Sequence, residues 1–93
     1  MAFELLEFCE PAPEPGKPFA GTRETIVTTY EDEAEAIAHG RRLWREARAV
    51  RSPDVMWWIV RVPGESLARW IADKSSDVEQ ILDLTTNELI PVQ

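Results

Sequence analysis

The chain has 93 residues, 44% of them hydrophobic and 29% charged, which is the composition of one soluble globular domain with a single core. Its net charge of −7 disfavours nucleic acid and anionic membrane surfaces as partners. The one cysteine excludes an internal disulfide, and no apolar run has the length of a membrane span.

Phe3 to Phe8 reads as a first strand, although Leu5-Leu6 interrupts its alternation. Residues 10–22 contain four prolines and two glycines, a composition that excludes helix and central strand and favours an extended path. This segment is either a connector or a functional loop, and Phe19 is its candidate anchor to the core. Thr25 to Tyr30 is dense in β-branched residues and predicts a second strand, with Ile26, Thr28 and Tyr30 on one face.

A helix is expected from about Glu31, with Thr28–Glu31 or Thr29–Asp32 as its capping box. Acids crowd its first turns and arginines its later ones, in keeping with the helix dipole. A step of 100° per residue gathers Ala36, Ile37, Gly40, Leu43, Trp44 and Ala47 on one face. Arg41, Arg45 and Arg48 fall opposite, and Gly40 on the apolar face predicts a close approach to a sheet. Ser52-Pro53-Asp54 ends this element.

Val55 to Val62 is apolar on both faces, the pattern of a central strand, and Trp57 and Trp58 must point to opposite sides of it. A Pro-Gly turn leads to a strand over Leu67 to Asp73, and a polar turn leads to another over Val78 to Leu84. Asn87 suits a left-handed turn position, and residues 89–92 read as a short edge strand that tolerates Pro91. The expected fold is therefore α+β: an antiparallel sheet of four to five strands on one helix, in the order β-loop-β-α-β-β-β with a short terminal β.

Chemistry is sparse. Cys9 and His39 are the sole thiol and imidazole, and the simplest expectation is a small apolar thiol and a histidine paired locally with Glu35. One histidine and one cysteine cannot build a typical zinc site, and no phosphate-binding or nucleophile motif is present, so no cofactor, metal site or catalytic residue is predicted.

One helix can cover one face of a sheet, so the other needs the proline-rich loop, a second chain or solvent. The expectation is a non-catalytic cytoplasmic domain acting through protein contact, with a partner or with itself as a homodimer. The candidate interface residues are Trp57, Trp58 and Trp70, with Arg41, Arg45 and Arg48 as a second surface. The alternative is a small-molecule or catalytic domain. Its aromatic pocket would lie between helix and sheet, closed by the proline-rich loop, with Tyr30, Arg61, Arg69 or Asp83 converging on it. A third expectation is an acidic surface that binds a basic partner.

Overall fold

A computed structural model describes residues 2–12, 15–16 and 21–91. Residues 13–14 and 17–20 of the proline-rich segment, Phe19 among them, and Val92 of the expected last strand lie outside the described residues. The elements are β1 (Phe3–Glu10), β2 (Arg23–Tyr30), α1 (Glu33–Ala49), β3 (Val55–Arg61), β4 (Leu67–Asp73), β5 (Gln80–Asp83) and β6 (Leu89–Pro91). The strands form one antiparallel sheet of order β2-β1-β3-β4-β5-β6, with α1 packed on it. The α+β reading holds, with one or two more strands than expected because the terminal hairpin pairs fully.

The chain inserts β1 between β2 and β3, which makes it interior. Leu5 and Leu6 then bury opposite faces of the sheet, and both are wholly inaccessible. A register shift at this pair leaves Val27 as the extra residue of β2. The shift corrects the expected face of that strand. Thr28 and Tyr30 stand opposite Leu5 and Phe3 on the helix side, whereas Ile26 stands opposite Leu6 on the other.

Helix α1 is capped by Asp32, not by either threonine. Thr28 and Thr29 are committed to the β2 ladder, and the Asp32 carboxylate accepts the Ala34 N–H at 3.0 Å. The face it buries is the one read from the sequence, through Ala36, Gly40 and Trp44. Gly40 is the point of closest approach. A Cβ built there would meet Trp70 Cζ3 at 2.6 Å and Leu5 Cδ1 at 3.3 Å. The helix therefore sits directly on the Trp70 ring, which forms a core with Leu5, Trp44, Trp58, Val60 and Ala72.

Each indole of that core has an acceptor for its N–H. Trp44 donates to the Asp73 carbonyl at 2.8 Å, Trp58 to Glu7 Oε1 at 3.0 Å and Trp70 to Glu79 Oε1 at 2.8 Å. A buried donor left unpaired costs about 1–3 kcal/mol, so these acceptors permit so aromatic a core in a short chain. In the β5–β6 turn, Asn87 takes the expected left-handed conformation at φ 60°. Asp83 closes the same turn by accepting from Thr85. That hydrogen bonding, led by the Thr85 hydroxyl, holds the Asp83 carboxyl below its usual range.

Candidate functional site: the open sheet face

In an antiparallel sheet, directly opposed residues share a face. Thr28, Leu5, Val60 and Trp70 form one such row, as do Thr25, Glu7, Trp58 and Ala72; both lie under the helix. On the reverse side Ile26, Leu6, Ile59 and Ile71 form an aliphatic row across four strands. Beside it runs a second row, Glu24, Phe8, Trp57 and Asp73. No described helix packs on this side.

Phe8 and Trp57 stack with ring centroids 5.2 Å apart and planes inclined by 2°. Both rings are partly exposed and form a flat platform bordered by the carboxylates Glu24 and Asp73. Val55 and Ile26 extend the apolar surface, at 47% and 55% exposure.

The aliphatic row is partly roofed. Arg61 Nε lies 3.2 Å from Glu4 Oε1, directly across the β1–β3 pair, and Arg61 Nη2 lies 3.9 Å from Glu24 on β2. The line from Arg61 to Glu24 runs diagonally over β1 at the level of Leu6. The guanidinium thus reaches across β1 on this face and pairs with carboxylates of both β1 and β2. Leu6 and Ile59 are both buried on this face, which no described helix covers.

The structure separates the three tryptophans proposed for a contact surface. Trp57 lies on the open face. Trp58 and Trp70 are 1% and 2% exposed beneath the helix and cannot form part of an uncovered surface. The pairing of Trp58 with Ala72, and of Val60 with Trp70, puts both indoles on the helix side.

The arginine surface is largely engaged within the chain. Arg41 forms an ion pair with Glu79, contributing Nε and, at 3.3 Å, Nη2. That hydrogen bond, with further help from Trp70 and from the charge of Arg45, lowers the Glu79 carboxyl below its usual range. Arg48 donates to the Ser76 carbonyl and lies over the Trp44 ring at 5.5 Å. Arg41 and Arg48 therefore fasten the helix to the β4–β5 connection.

The groups expected to converge in an internal pocket do not meet. Tyr30 shares a hydrogen bond of 2.9 Å with His39 Nδ1, which replaces the expected Glu35–His39 contact. Arg69 pairs with Glu65 and reaches Glu33, Arg61 lies on the open face, and Asp83 lies in its turn. A groove of about 370 Å³ does open where the end of α1 overhangs the sheet, walled by Leu43, Ala47, Met56 and Trp58, with Glu7 and Glu46 at its polar edge. Cys9 is partly exposed on β1 and is free. Among the described residues no three His, Cys, Asp or Glu side chains group as a metal ion would need, and no helix is long and apolar enough to cross a membrane.

Sequence reasoning missed two structural carboxylates, Glu7 and Glu79. Glu7 carried a readable signal: strand alternation puts it on the same face as Leu5, and a carboxylate there requires a donor. Comparison with family descriptions, curated proteins and solved structures finds no match to this chain.

Proposed function

We propose that this domain works by protein contact through its open sheet face, with the Phe8–Trp57 platform as the anchor. The observation that carries this reading is the stacked, partly exposed aromatic pair within an apolar patch that exposes Ile26 and Val55, with Leu6 and Ile59 buried beneath it. Its rim is ionic, made by Glu4, Arg61 and Glu24. An apolar centre with a charged border is the anatomy of a contact surface, and aromatic anchors carry much of the energy in such surfaces. The second surface, around Arg45, is the weaker candidate because its neighbours Arg41 and Arg48 already serve the fold.

A photo-crosslinking residue at Val55 tests the reading against the same residue at Arg42, on the exposed side of the helix. In extracts of the source cells, the expected result is a discrete adduct from position 55 and none from position 42. Equal or absent adducts at both positions overturn it.

The groove beside Trp58 supports a second reading, a small-molecule site, because its volume lies within the range of such sites. Movement of the Trp58 indole N–H resonance on titration of a fragment, with the Trp57 resonance unmoved, would favour it.

A further inference from the structure

The two free edges of the sheet are built differently. The β6 edge is three residues long and includes Pro91, which has no N–H to offer a neighbouring strand. Short strands and prolines are among the devices that keep sheet edges from pairing. The β2 edge is eight residues long and contains neither proline nor lysine, and Thr25 to Thr29 are all β-branched. It pairs with β1 on one side, and no described strand lies on its other side. Ile26 stands more than half exposed at this border.

We propose that β2 pairs antiparallel with β2 of a second copy of this chain, joining two six-stranded sheets edge to edge. This contact is separate from the one proposed for the open face and does not depend on it. A second copy fits because β2 is self-complementary about a two-fold axis between Ile26 and Val27. In that register Arg23 of one copy stands opposite Tyr30 of the other, Glu24 opposite Thr29, and Thr25 opposite Thr28.

The faces agree. Arg23, Thr25, Thr28 and Tyr30 stand opposite Cys9, Glu7, Leu5 and Phe3, on the helix side. Glu24 and Thr29 stand opposite Phe8 and Glu4, on the open side. A slip of one residue would set helix-side against open-side residues along both arms of the pairing, so this register is favoured. No like charges meet, and the two bulges fall together at the axis, where the ladder pauses.

The axis is normal to the sheet. Both helices therefore lie on the same side, and the open faces of the two copies become continuous. One paired edge is a small interface, so association on the order of micromolar is expected.

Sedimentation of the full chain from low to high micromolar concentration tests the proposal, with far-UV circular dichroism confirming that each variant is folded. The expected result is a mass that rises to that of two chains. Thr29→Lys, set opposite Glu24 of the other copy, should tighten the association by roughly threefold or more, and Thr29→Glu should weaken it comparably. Ile26→Lys sets two ammonium groups at the axis and should abolish the dimer, while Trp57→Ser should leave it. A strictly monomeric chain, a dimer indifferent to both Thr29 variants, or a dimer lost only with Trp57→Ser overturns the proposal.

Discussion

Trp70 donates its indole N–H to Glu79 at 2.8 Å, and the same carboxylate receives the Arg41 guanidinium from the helix. One side chain thus satisfies the buried ring and ties the helix to the sheet that carries that ring. The sheet and helix are held in register by this three-residue relay as well as by apolar packing.

The relay predicts an acid-sensitive component of stability. The folded Glu79 carboxyl titrates below its unfolded value, so its contribution is complete above the ordinary glutamate range of about 4.3. It is lost as pH falls through the lowered folded value. Arg41 is almost half exposed and screened by solvent, so the contribution is modest, about 0.5–1 kcal/mol. Glu79→Gln should remove that amount at neutral pH and flatten the acid limb of a urea-denaturation series.

Gly40→Ala should destabilise the protein, although alanine favours a helix over glycine by about 1 kcal/mol. The new methyl would meet the Trp70 ring at 2.6 Å, and that ring is buried and fixed by its hydrogen bond. Overpacking of this kind costs about 1–3 kcal/mol, and the helix gain offsets part of it. Thermal unfolding should show a lower midpoint, with a changed near-UV spectrum from the displaced indole.

Glu7 serves Trp58 as Glu79 serves Trp70. Glu7→Ala should cost about 1–3 kcal/mol by leaving a buried donor unpaired, whereas Glu7→Gln keeps an acceptor and should cost less than about 1 kcal/mol. Chemical denaturation of the two variants separates these outcomes.

Among the four indoles Trp57 is the one with substantial solvent access, since Trp44, Trp58 and Trp70 are each less than a tenth exposed. Acrylamide should quench one fraction of the fluorescence readily and the rest poorly. Trp57→Phe should remove the accessible fraction and leave the stability nearly unchanged. An easily quenched component that survives in Trp57→Phe would place another indole at the surface.

Local patterns in the sequence carried most of the architecture. The apolar face of the helix, the double-sided character of Val55 to Arg61 and the opposed directions of Trp57 and Trp58 all follow from periodicity within one element. What did not follow was non-local. Nothing in residues 55–62 states which face meets the helix; insertion of β1 between β2 and β3 settles that. The bulge at Val27 turned Ile26 away from Thr28, because a strict period of two has no means of showing an extra residue. No role was assigned to Glu7 or Glu79 from the sequence, because their indole partners lie far along the chain or across a turn.

The interior position of β1 also has a kinetic consequence. From β3 onward the strands form a meander of neighbours that can zip locally, whereas Glu7 and Trp58 must meet across 51 residues. Loop closure over that span comes before its reward, so the β1–β2 hairpin should dock late and limit the folding rate. Until it does, the meander has a bare flank along Val55 to Arg61, its most apolar strand, and the half-made protein is at its most adhesive during that wait.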